Sequence, residues 1–193
     1  MFRYLAENIA FLLMKHKLLD SEDKDIYVYG IEVIVMNSSL LFVIMLISIL
    51  NGKLIHLIGF LAFFMPLRMM VGGYHAKHSE TCFVLSVAVY TFTLCIVGYW
   101  PEIYKNETAV IAFAVAEVVI LIWSPLKNPN HPLDDWQYAR NKKIAYGMIA
   151  IDAVLFMVCC KYCGMLAASE IVFVILVAVV FLIGKIELRK RKK

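Results

Sequence analysis

Six apolar runs dictate what this chain can fold into: Tyr27 to Leu50, Leu54 to Leu67, Cys82 to Trp100, Thr108 to Trp123, Ile144 to Cys160 and Ile171 to Ile186. A hydrocarbon layer about 30 Å thick is crossed by roughly 20 apolar residues of helix or about ten of strand. The runs are continuous instead of alternating, so they read as helices, the second and sixth being short. Composition agrees: 62% of residues are hydrophobic and 18% charged, against about half apolar in an ordinary soluble chain. The expected fold is all-α, a polytopic membrane helical bundle of about six transmembrane helices plus an N-terminal amphipathic interfacial helix. Residues 1–193 form a single integral membrane domain, with a cytoplasmic amphipathic segment at 1–25, the bundle at 26–186 and a basic tail at 187–193. No secretory signal peptide is expected, because "KHKLLDSEDKD" is polar and no cleavage pattern follows. No internal repeat stands out.

Basic residues near helix ends mark the cytoplasmic side. With an inside N-terminus, only Lys53, Lys105 and Lys161 of the 19 Lys and Arg fall on outside turns. Both termini are therefore expected in the cytoplasm. The net charge of +4 follows mostly from this bias, and the terminal "RKRKK" suits topology or anionic lipid rather than nucleic acid. At the N-terminus, Phe2, Leu5, Ile9, Leu12 and Leu13 have helical spacing, which predicts an amphipathic helix lying on the inner leaflet.

Between the second and third runs lies "RMMVGGYHAKHSETC", Arg68 to Cys82, on the expected cytoplasmic face. Cys95, deeper in the third run, reads as a small hydrophobe. Cys82 differs, because it lies near the start of its helix. With Ser79 as N-cap, Cys82 falls in the first turn, where unpaired N–H groups and the helix dipole favour a thiolate nucleophile. His75 is the nearest base. In one continuous helix, residues seven apart are separated by about 10.5 Å along the axis, too far for a hydrogen bond. A Cys82–His75 dyad thus requires a bend, which Pro66, Gly72 and Gly73 permit.

Gly72 and Gly73 also let backbone N–H groups approach an oxyanion, or they simply form a tight turn. The spacing His75, His78, Cys82 equally suits one helical face of a zinc site, although Glu80 points elsewhere and no fourth ligand is evident. Arg68 suits a substrate carboxylate or snorkelling from its helix end. Ser79 and Glu80 are candidates for orienting His75, for capping or for solvating the loop. Loop, metal face and dyad all remain open on residue chemistry.

The motif of arginine, glycine pair, histidine two residues later and cysteine seven after that resembles the signature of the accessory gene regulator protein B (AgrB) family. The length, the membrane spans, the basic tail and the loop "SPLKNPNHPLDDWQYARNKK" resemble it too. The resemblance implies a membrane-embedded cysteine endopeptidase of the bacterial cell membrane that matures a quorum-sensing signal propeptide. Carried over by position, Cys82 is the nucleophile and His75 the base. The cleaved peptide is held as a thioester until an internal cysteine or serine closes a thiolactone or lactone. Such exchange needs no metal or other cofactor. The implied partners are the propeptide and the lipid membrane, with a homodimer allowed and no nucleic acid.

Other polar groups leave a non-catalytic transporter as an alternative. Glu32, Glu117 and Asp152 interrupt spans, where ionisable groups serve ion coupling or interhelical hydrogen bonds. His56 reads as interfacial. Cys159, Cys160 and Cys163 raise a redox reading, but no βαβ pattern accompanies them. The loop from Ser124 to Lys143, stiffened by prolines and rich in basic residues, suits an acidic peptide.

Overall fold

The computed structural model describes residues 1–16, 24–71, 79–124 and 134–191. All regular structure among them is helical: α1 (Phe2–Lys15), α2 (Lys24–Leu50), α3 (Leu54–Gly59), a π-helical turn (Phe60–Phe64), α4 (Met65–Val71), α5 (Ser79–Tyr99), a 3₁₀ turn (Ile103–Lys105), α6 (Glu107–Trp123), α7 (Asp135–Tyr162) and α8 (Gly164–Arg191). Within these, Lys24–Leu50, Glu80–Tyr99, Trp136–Tyr162 and Gly164–Ile186 are long and apolar enough to cross a membrane. The helical membrane bundle expected from the apolar runs is the fold.

The helices form two compact units, one of Met1–Ile47 with Ala76–Ala88, the other of Ser48–His75 with Val89–Lys193. In the first, α1 packs through small residues. Ala6 and Ala10, one helical turn apart, are fully buried and form a core with Val28 of α2, against which Ile31 also packs. With only a methyl group at each site, the two backbones approach closely.

The second unit is organised around α8, whose residues Ala167 to Val174 are all buried. Two full helical turns without an exposed residue mean that α8 is surrounded, and α3, the π turn, α6 and α7 supply the surround. The α2–α3 corner closes as a Schellman motif: Gly52 takes φ +65°, its N–H donates to the Ile49 carbonyl, and Lys53 N–H donates to the Ser48 carbonyl. α3 then approaches α8 at Gly59, where a β-carbon would stand 3.2 Å from Ser169 Cβ. His56 lies in the same interface. Ser169 Oγ donates to the Met165 carbonyl at 2.9 Å, so its only proton is committed and His56 Nδ1 donates to Ser169 Oγ at 2.6 Å. His56 is therefore buried between helices and not interfacial.

Pro66 does not end its helix. Proline lacks an N–H and crowds the carbonyl four residues back. Here the preceding turn widens, with Met65 N–H donating to the Phe60 carbonyl five residues earlier. The widened turn presents Phe60 and Phe64, stacked at 4.7 Å, to Tyr90 and Phe173, which meet Phe60 edge-on at 5.4 and 5.6 Å. The buried Tyr90 hydroxyl is bonded to Ser48 Oγ at 2.5 Å.

Two helices, α7 and α8, start seven or more residues before their apolar runs. α7 begins at Asp135 through a capping box, in which Asp134 Oδ1 accepts from Gln137 N–H at 2.6 Å and Gln137 Oε1 accepts from Asp134 N–H at 3.3 Å. Residues 135–143 of the expected loop are thus helical, while 125–133 lie outside the described residues. α8 begins at Gly164, seven residues before the short sixth apolar run starts at Ile171.

The Gly59 contact makes a sharp prediction. Gly59→Leu forces α3 off α8 and is expected to cost about 2 kcal/mol or more in thermal unfolding measured in detergent. Gly30→Ala, where an added β-carbon meets nothing within 4 Å, is expected to leave stability unchanged or slightly raised.

Candidate functional site

Cys82 stands in the first turn of α5, a helix that begins at Ser79 as its first helical residue. Ser79 is therefore one position inside the cap expected for it, which makes Cys82 the fourth residue of the helix. The thiol is half-buried, neither sealed in the core nor fully exposed. One turn on, the Ser86 hydroxyl donates to the Cys82 carbonyl at 2.9 Å, so this polar side chain is satisfied within the helix on its apolar stretch.

The flanks of Cys82 are held from α1. Glu80 Oε1 accepts from the amino group of Met1, and the carboxylate also suits the positive end of the helix dipole. The Phe83 ring meets the Phe2 ring at a centroid distance of 5.5 Å and an interplanar angle of 52°. Glu80, expected as a partner for His75 or as a solvated loop residue, pairs with the Met1 amino group, and its relation to His75 lies outside the described residues.

His75, with Gly72, Gly73 and His78, lies outside the described residues, so the bend required for a dyad and the metal face that would use both histidines lie there too. Among the described residues, no three His, Cys, Asp or Glu side chains are grouped to hold a metal ion. Arg68 belongs to α4 of the second unit, half-buried, with its guanidinium 5.6 Å from the centroid of the Phe64 ring. That placement combines cation–π attraction with burial of the aliphatic stem.

The second unit carries a different set of polar groups. Glu117 of α6, Asp152 of α7 and Glu170 of α8 face one another closely enough to interact electrostatically. Glu170 is fully buried, with neither carboxyl oxygen hydrogen-bonded among the described residues, and Glu117 Oε1 is likewise unbonded. Sequence reasoning singled out Glu117 and Asp152 but missed Glu170. The sixth apolar run starts one residue after it, and the preceding "GMLAAS" falls outside that run although its small residues continue the helix. All five cysteines are free thiols, with Cys159 buried and Cys160 and Cys163 half-buried. Arg140 of α7 lies over Trp136 at 4.7 Å and Lys185 of α8 over Trp123 of α6 at 3.3 Å.

Comparison with known proteins decides the family. The family model described as Accessory gene regulator B matches residues 6–186.

The chain belongs to the accessory gene regulator B family.

A protein of Clostridium acetobutylicum described as AgrB-like is 28% identical over 129 residues, which cover 67% of this chain and 61% of that protein. The chain thus aligns with less than two thirds of that relative's length. No solved structure matches the chain. Membership in the AgrB family and the long apolar helices together make this a membrane protein.

The difference in burial between the thiols is directly measurable. Cys82 is expected to react with a small alkylating reagent at least about tenfold faster than buried Cys159, as read by mass spectrometry of the folded protein.

Proposed function

We propose that this AgrB-family protein is a membrane cysteine endopeptidase that cleaves a quorum-sensing signal propeptide and holds the product as a thioester for ring closure. The observation that carries the reading is the half-buried Cys82 in the first turn of α5, a helix long and apolar enough to span the membrane. A nucleophile there is close to water for proton transfer and close to apolar surroundings for protecting an acyl-enzyme.

In this mechanism, His75 takes the proton of Cys82 as Sγ adds to a peptide carbonyl. Collapse of the tetrahedral adduct breaks the C–N bond, and the proton passes to the departing amine. The N-terminal fragment remains on Cys82 as a thioester. An internal thiol or hydroxyl of that fragment then gives its proton to His75, attacks the thioester carbonyl, releases the Cys82 thiolate and closes a thiolactone or lactone. The acyl energy of the broken amide survives in the thioester, so ring closure needs no further energy source. Gly72, Gly73 and Ser79 are the candidates for backbone or side-chain contact with the oxyanion, and Arg68 for a substrate carboxylate.

The same reading puts the protein in the bacterial cell membrane with both termini cytoplasmic, following the asymmetry of its Lys and Arg residues. Its substrate is a propeptide delivered from the cytoplasm, and a homodimer is compatible with the proposal.

The test uses the peptide encoded by a small neighbouring reading frame with an amphipathic segment, an internal cysteine and an acidic tail. Cys82→Ala and His75→Ala are each expected to lower its cleavage by at least about 10³-fold while membrane insertion persists. A hydroxylamine-sensitive peptide adduct should form on wild-type protein and be absent from Cys82→Ala. Cleavage at the wild-type rate by either variant would remove that residue from the mechanism.

A further inference from the structure

We propose that α1 is a brace that sets the position of Cys82, with Phe2 as the positioning residue. This inference rests on the reading of Cys82 as the nucleophile. The first turn of a helix is its least secured part, because the leading N–H groups have no partner within the helix and terminal turns open first. Cys82 sits in such a turn. α1 contacts this turn on both sides of the cysteine, at Glu80 two residues before it and at Phe83 one residue after it.

The geometry of the ring pair suits a positioning role. Adjacent helical residues point about 100° apart, so a ring held at Phe83 fixes the rotation of the turn and the direction of the neighbouring thiol without lying over it. Cys82 accordingly keeps partial exposure while Phe2 is 5% exposed. Phe2 is itself held firmly. It shares a helical stripe with Ala6 and Ala10, spaced four apart, and both alanines are fully buried in the core with Val28. The stripe locks α1 to α2, and its end delivers the Phe2 ring to the turn that carries Cys82.

Attack on a carbonyl demands an aligned approach to the face of the C=O group, and a misplacement of about 1 Å can cost about 10²-fold in rate. A brace of this kind therefore acts on turnover more than on peptide binding. It also gives α1 a role beyond lipid attachment, although Tyr4, Leu5, Phe11 and Leu12 remain exposed on its surface and suit the membrane interface.

The test compares full-length wild type, Phe2→Ala, Phe2→Tyr and Cys82→Ala in lipid nanodiscs with the neighbouring-frame propeptide. Phe2→Ala is expected to lower kcat about tenfold with KM changed less than about twofold, and Phe2→Tyr to restore kcat. Amide hydrogen exchange over residues 83–86, whose N–H groups bond back to the first turn of α5, should accelerate about tenfold in Phe2→Ala while α8 exchanges as in wild type. Unchanged kcat, a change confined to KM, or unchanged exchange at the first turn of α5 would overturn the brace. If Phe2→Ala does not insert, Phe2→Leu carries the same comparison with an expected kcat loss of about threefold. Inactive Cys82→Ala beside fully active Phe2→Ala removes the brace alone, whereas active Cys82→Ala removes the nucleophile assignment itself.

Discussion

The second unit depends on the burial of α8 from every side. In hydrocarbon no water satisfies a stray N–H or C=O, so each spanning segment must bond its own backbone and then pack by shape. From Ala167 to Val174, α8 meets neighbours all round. It does so with small residues where another helix comes near and with Phe173 where there is room for a ring cluster. The opposing residues follow from this. Gly59 allows α3 to reach Ser169, and His56 uses the same approach to place its Nδ1–H on the Ser169 hydroxyl. The π turn ahead of Pro66 relieves the proline by widening the helix, and the same widening brings Phe60 and Phe64 to Tyr90 and Phe173.

Much of this architecture is legible in the sequence because membrane insertion reads hydrophobic length. Each of the six apolar runs corresponds to a helical stretch, and Phe2 to Lys15 forms the N-terminal helix expected from its spacing. The helix starts are less legible, for a physical reason. Apolar runs report where a helix meets lipid, whereas helix starts are governed by capping groups and small residues that hydropathy overlooks. Asp134 and Gln137 form a reciprocal cap beyond the apolar part of α7, and "GMLAASE" continues α8 toward its N-terminus through residues that pack instead of facing lipid. Glu170 and the buried position of His56 were hidden by the same effect. A polar residue at the edge of an apolar run looks interfacial until the helix facing it is known.

The site was legible in its chemistry more than in its contacts. A cysteine three residues after a serine, beyond a glycine pair and a histidine, predicts a thiol at a helix start, and Cys82 does occupy the first turn of α5. Nothing in that motif points to Phe2 or to the pairing of Glu80 with the Met1 amino group, because these contacts join residues about eighty positions apart in the chain. Such pairs carry no periodic signal. The amphipathic pattern of α1 accounts for its apolar side equally well by lipid or by protein, and burial of Phe2, Ala6 and Ala10 shows that protein takes one stripe of it.

The two units carry their polar groups in ways that suit different tasks. In the second, Glu117, Asp152 and Glu170 sit among helices packed around α8, and ring stacking and interhelical hydrogen bonds make that interior stiff. In the first, Cys82 occupies a helix start that a short helix meets through a ring pair at Phe83 and an ion pair at Glu80. The proposed acyl transfer asks for contacts that hold this turn without covering the sulfur. On the proposed mechanism the substrate segment must enter, leave its C-terminal part, and fold back on the thioester, so the surroundings of the sulfur have to admit a peptide while the sulfur itself stays aimed. Fixing the turn by its neighbours at positions 80 and 83, and leaving residue 82 half-covered, meets both demands with the same few contacts.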